Sequence, residues 1–245
     1  MSIMLEICNL TKKYGDKTAV DNLSLHIAPG TICGFIGRNG AGKTTTLKSC
    51  AGILGFDSGS ITVDGTDISG EPLRAKSIMA YIPDNPEIYS FMTGIRYLNF
   101  ICDIFKIPVS QRDEKIHTLS DRFELTADLA KPVSQYSHGM KQKLALIGGF
   151  IHSPKLLLLD EPFVGLDPKA ASTVKAMMRE LCNNGGAVFF STHVLEVAQS
   201  LCDEIAIIRD GRLIANGKTD EICGSESLTE AFFELTETPN GGAAE

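Results

Sequence analysis

Apolar and polar side chains alternate over Leu5-Glu6-Ile7-Cys8-Asn9-Leu10 and again over residues 19–27. A period of two buries one face of an extended chain and wets the other, so both segments predict strands, paired antiparallel around Lys12-Lys13-Tyr14-Gly15. The pattern then changes. Residues 31–36 and 155–159 (Lys155-Leu156-Leu157-Leu158-Leu159) are almost uninterrupted apolar runs, as expected of strands covered on both faces in a parallel sheet. Shorter strands are predicted over 60–63, 77–82 and 187–190, and a hairpin joins 204–209 to 212–215 through Asp210-Gly211. Helices are predicted over 45–53, 110–125, 168–184 (opened by Pro168 and closed by Gly185-Gly186), 194–201 and 227–235. Ile95, Leu98, Ile101 and Ile104 stripe a further helix and leave Tyr97 and Phe100 outward. Met140, Leu144, Ile147 and Ile151 stripe another.

Strands alternating with helices define the fold class as α/β. The sheet is expected to be mixed and largely parallel, with antiparallel strands at the N-terminus and an inserted α-helical subdomain. One domain is expected over 3–235, its α/β core formed by 3–83 and 153–222 and its helical subdomain by 84–152. The tail 236–245, with Pro239 and Gly241-Gly242, is expected to be disordered.

The densest chemistry lies between the strand over 31–36 and the helix that follows. Gly37-Arg38-Asn39-Gly40-Ala41-Gly42-Lys43-Thr44-Thr45 matches G-x-x-x-x-G-K-[ST]. Strand, glycine loop and helix in this order make a phosphate cradle: glycines let backbone N–H groups converge on oxyanions, and the helix adds its positive end. Lys43 would reach the β- and γ-phosphates of a bound triphosphate, and Thr44 would place a hydroxyl on Mg²⁺. Asp160 and Glu161 end the leucine strand. The first can hold the metal directly or through water, and the second can take a proton from an attacking water. His193 follows the strand over 187–190 and so falls on the same sheet edge, within reach of a γ-phosphate. Tyr14, at the hairpin tip, offers a flat ring on which an adenine can stack. Ser137 opens the helix bearing Met140 and Leu144; alone, it is a helix cap.

Composition narrows the function further. A net charge of −7 argues against a broad nucleic-acid surface. Seven scattered cysteines without a C-x-x-C pair suggest neither a disulfide framework nor a zinc site, and fit a reducing compartment. The longest apolar stretch, 144–151, is far short of the roughly 18 residues that span a bilayer, and the N-terminus lacks a signal-peptide layout, so a soluble chain without direct membrane insertion is expected.

Together these residues resemble the nucleotide-binding subunit of an ATP-binding cassette (ABC) transporter, with a P-loop NTPase core, over residues 5 to about 231. Tyr14 matches that family's adenine-stacking aromatic, 37–44 its Walker A loop, 136–140 its signature, 156–161 Walker B, Gly165-Leu166-Asp167 the D-loop and His193 the switch histidine. The resemblance implies a head-to-tail dimer, of two copies or of this chain with a paralogue, in which Ser137 and Gly139 meet the other subunit's ATP. It also implies a cytoplasmic subunit held at the inner membrane face by a separate permease. Two positions depart from the family pattern. The signature carries His138 and Met140 in place of glycine and glutamine, and Asp84 stands where a glutamine usually touches Mg²⁺. Both are similar to exporters of the ABC-2 type, the drug and lantibiotic-immunity group. A hydrolysis-weak regulatory module or a non-transport ABC ATPase is the alternative.

Overall fold

The computed structural model describes residues 2–237. Two strands open the chain, β1 (Leu5–Tyr14) and β2 (Lys17–Ile27), paired antiparallel as their alternation predicts. Then come β3 (Ile32–Ile36), α1 (Lys43–Cys50), β4 (Ser58–Val63) and the short β5 (Thr66–Asp67). Next, α2 (Pro72–Ser77) precedes β6 (Met79–Ile82), so the strand expected over 77–82 begins two residues later. Pro72 at a first helical position is the start signal that corrects that boundary.

From β6 to the next strand the chain is helical, with α3 (Gly94–Ile104), α4 (Val109–Arg122) and α5 (His138–Phe150). The line of full burial on α3 is Gly94, Leu98 and Cys102, a step of four residues. It runs oblique to the expected stripe, and Ile104 is exposed. Tyr97 is not outward: a Cβ on Gly148 of α5 would lie 3.3 Å from its ring, and burial raises its hydroxyl pKa. Phe100 does face outward.

The chain continues through β7 (Leu156–Asp160), α6 (Pro168–Asn183), β8 (Ala187–Thr192), α7 (Leu195–Leu201), β9 (Glu204–Arg209), β10 (Arg212–Lys218), α8 (Thr219–Cys223) and α9 (Leu228–Glu237). Helix α8 has no counterpart among the predicted elements. Thr236 belongs to α9, its hydroxyl donating to the Phe232 carbonyl at 2.7 Å, so the expected tail starts too early; residues 238–245 lie outside those described.

Two sheets result, β2-β1-β4-β5 and β10-β9-β3-β8-β7-β6. The first is antiparallel. The second is parallel except at its β9–β10 edge. The leucine run explains itself here: Leu157 and Leu159 face the helices, whereas Leu156 and Leu158 face α1 and the antiparallel sheet, all four fully buried. Burying each is worth about 1.5–3 kcal/mol. With both faces covered, period two cannot appear in the sequence of a central strand.

Candidate active site

The carboxyl ends of β3, β6, β7 and β8 share one edge of the large sheet, and each delivers a part of the site. The loop after β3 is shaped by contacts only glycine allows. A Cβ on Gly37 would stand 2.5 Å from the Ile208 carbonyl oxygen, and one on Gly42 would stand 2.5 Å from that of Ala19. Gly42 also has φ 112°. It serves as N-cap of α1 without a side-chain cap, so N–H groups at the start of α1 remain available to a bound oxyanion. Lys43 is folded back over this loop. Its Nζ donates to the Gly37 carbonyl at 2.6 Å and to that of Arg38 at 3.4 Å. Burial lowers the ammonium pKa, and the charges of Glu161 and Asp160 oppose that shift.

Asp160 closes β7 and is 2% exposed. Its Oδ1 accepts from the Ser191 hydroxyl at 2.5 Å, whereas its Oδ2 is buried and has no partner. A buried carboxylate oxygen without a donor is costly, and a hard cation would satisfy it. Glu161 has φ 47°, a left-handed conformation that a side chain disfavours. Ser191 pins it there, for the Glu161 N–H donates to both the Ser191 carbonyl (3.2 Å) and its hydroxyl oxygen (3.1 Å). The turn lifts the Glu161 carboxylate off the strand, with Oε1 2.9 Å from His193 Nδ1 and 4.0 Å from Lys43 Nζ.

A cleft of about 320 Å³ opens over these groups. Of the residues singled out in the sequence, Tyr14, Asn39, Gly40, Gly42, Lys43, Thr44, Thr45, Asp84, Asp160 and Glu161 line it. His193 does not, and meets the site through Glu161; nor do Gly37, Arg38 and Ala41. These last three support the loop from behind, through the Gly37 carbonyl on Lys43 and an Ala41 N–H to Arg38 carbonyl bond of 3.1 Å. Asp84 lies in the irregular segment after β6, its Oδ1 accepting from the Asn85 N–H at 2.8 Å. Asp84 caps no helix, since the next one, α3, is capped by Thr93.

Ser137 and Gly139 are absent from the cleft lining. Ser137 is the N-cap of α5, accepting from the Met140 N–H at 3.2 Å. The turn packs on residue 165 of the same chain: a Cβ on Gly139 would meet the Gly165 carbonyl oxygen at 2.7 Å, and the His138 ring fills the space a Gly165 side chain would need. Nearby, Lys143 Nζ lies 2.8 Å from Asp167, N-cap of α6, and this bond holds the carboxyl below its usual range.

Three contributors were missed from sequence. Lys17 and Ala19, on β2, line the cleft beside Tyr14, with Lys17 its direct cross-strand partner. Ser191, which holds both acidic residues, lies one residue beyond the strand predicted over 187–190, because β8 runs on to Thr192. Its signal was a polar residue still in strand register before His193.

The combination of a phosphate loop, two strand-end carboxylates and a sheet-edge histidine on a largely parallel sheet defines a P-loop nucleotide-binding protein. Residues 20–164 match the family model for ABC transporters. The chain is 35% identical over 246 residues to YhcH, an uncharacterized ABC transporter ATP-binding protein of Bacillus subtilis, spanning 99% of this chain and 78% of that protein. It is 35% identical to the daunorubicin resistance ATP-binding protein DrrA3 of Streptomyces coeruleorubidus over 95% of this chain and 74% of that one. Among solved structures, an ATP-binding subunit of an ABC transporter superposes with a TM-score of 0.91 at 31% identity, covering 95% of this chain and 99% of the other.

The chain belongs to the ABC transporter family. It is an ATP-binding subunit and an ATPase coupled to transport. Among the described residues no helix is long and apolar enough to cross a membrane.

Proposed function

We propose that the chain hydrolyses Mg-ATP in this cleft, with Glu161 as the base, to drive a separate permease of the ABC-2 exporter type. The observation that carries the reading is the Glu161 carboxylate, lifted from β7 by a strained turn and held between His193 and Lys43. Tyr14 stacks the adenine, the loop from Gly37 to Thr45 binds the phosphates, and Lys43 leaves its carbonyl partners for phosphate oxygens. Water attacks the γ-phosphorus as its proton passes to Glu161. The bond from phosphorus to the β–γ bridging oxygen breaks, and the electron pair leaves on ADP. His193 orients Glu161 and donates to the γ-phosphoryl group. Thr44, the free Oδ2 of Asp160 and Asp84 would hold Mg²⁺, which when bound neutralises phosphate charge.

Ser137 and Gly139, at a helix start outside their own cleft, fit a nucleotide held by a second subunit, either another copy or a paralogue. Residues 84–152 act as the helical subdomain that contacts the permease, and the subunit works in the cytoplasm at the inner membrane face. The likeness to a daunorubicin resistance protein supports the export assignment.

The test is Glu161→Gln. Turnover should fall on the order of 10²- to 10⁴-fold with ATP binding retained, the worth of a general base. The stalled protein should sediment as a dimer with Mg-ATP and as a monomer without it. Hydrolysis at the wild-type rate would remove Glu161 from its role, and equal masses with ATP bound would count against Ser137 and Gly139 acting across subunits.

A further inference from the structure

We propose that the outer face of the antiparallel sheet binds a thiophilic divalent cation, of the zinc class, through Glu6, Cys8 and His26. The three are brought together by strand register alone. Glu6 and Cys8 are two residues apart on β1 and so share a face, opposite to buried Leu5 and Ile7. His26 is the direct cross-strand partner of Glu6 on β2, between buried Leu25 and Ile27. A ligand atom from each lies within 4.8 Å of the other two.

The donor types suit the ion. Thiolate, imidazole and carboxylate are the three side-chain donors that zinc takes, and three of them leave a fourth position open. One edge of the site is already at the required length: His26 Nε2 is 3.3 Å from Glu6 Oε1. A tetrahedron with bonds of about 2.1 Å has edges of about 3.4 Å. Cys8 needs only a side-chain adjustment to close the remaining edges, because β1 and β2 fix the backbones. The second Glu6 oxygen, Oε2, accepts from the Thr62 hydroxyl of β4 at 3.3 Å, an outer partner that holds the carboxylate plane. Binding would release the Cys8 thiol proton to solvent. Six residues separate Cys8 from Tyr14 along β1, roughly 20 Å of strand, so this site is independent of the nucleotide cleft.

Zinc titration of the reduced full-length chain without nucleotide, by calorimetry against a competing chelator, tests the proposal. One equivalent should bind. Glu6→Gln, Cys8→Ser and His26→Gln should each weaken it by about tenfold or more, with ATPase activity unchanged in the same variants. Cobalt(II) should give a thiolate-to-metal charge-transfer band that Cys8→Ser abolishes and Cys223→Ser leaves intact. No saturable single equivalent, affinity indifferent to all three substitutions, or a band that follows Cys223 would each overturn the assignment.

Discussion

The Nδ1 atom of His193 lies 2.9 Å from Oε1 of Glu161, joining the strand-end carboxylate of β7 to the loop after β8. Glu161 is the better buried of the two, at 16% side-chain exposure against 54% for the imidazole. The histidine can therefore present its other nitrogen to a ligand while orienting the carboxylate. His193→Ala should lower kcat on the order of 10²-fold, the cost of losing one preorganised donor, with little change in nucleotide affinity. Single-turnover hydrolysis with a separate binding measurement checks it, and an unchanged chemical step would dismiss the contact as incidental.

Asp84 shares the cleft with Asp160 and Glu161, so on the proposed reading its charge would bear on a bound Mg²⁺. Asp84→Asn should raise the Mg²⁺ concentration needed for half-maximal turnover about tenfold, if the lost ligand is worth about 1.4 kcal/mol. Metal-free nucleotide binding should stay equal or tighten, since repulsion from the triphosphate is relieved. Superimposable Mg²⁺ titrations of the two proteins would leave the ligand role without support.

On the proposed docking of the permease on residues 84–152, exposed aromatic residues there are the expected contact. Tyr89, Phe91 and Phe100 are 52%, 75% and 38% exposed and form a connected cluster, with ring centroids 5.7 Å apart for Tyr89–Phe91 and 6.2 Å for Tyr89–Phe100. Aromatic anchors of this kind are worth 2 kcal/mol or more when central to an interface, about thirtyfold in affinity. Phe91→Glu and Phe100→Glu should abolish co-purification with the permease and spare soluble ATPase activity. Retained association would exclude the cluster.

His152 supplies a pH dependence. Its ring stacks on Phe105 at 3.5 Å, its Nε2 lies 3.2 Å from the Met79 carbonyl oxygen, and its Nδ1 is buried without a partner. Burial, the largest cause, pulls its pKa down to about 4. The unfolded chain, with histidine near 6.5, therefore binds more protons between about pH 6.5 and 4, and stability falls as pH falls through that window by up to about 3 kcal/mol. His152→Gln should flatten this part of the curve relative to wild type in denaturant titrations at pH 7 and pH 5. Parallel losses in both proteins would assign the acid sensitivity to other groups.

Much of this was legible along the chain. The glycine loop and the acidic pair are local in sequence, and the four leucines before Asp160 show that the pair ends a buried strand. His193 could be placed on their edge because parallel strands all finish on one side. What stayed hidden depends on contacts between distant segments. Ser191 reaches Asp160 across neighbouring strands, and Lys17 enters the cleft only through its pairing with Tyr14. The tilt of α3 is set by where α5 offers Gly148, a packing choice that a 3.6-residue period does not specify. The stacking of the α5 turn on Gly165 likewise brings together residues more than 25 apart in the chain.

On the proposed role of Glu161 as the base, its left-handed backbone sets folding against chemistry at a single position. Glycine is the residue that conformation prefers, so Glu161→Gly should fold more stably than Glu161→Ala while being equally unable to accept the proton. Selection for thermal tolerance alone would drift toward glycine there. If Glu161 is the base, a relative with glycine at the same place should keep the scaffold and lose the reaction.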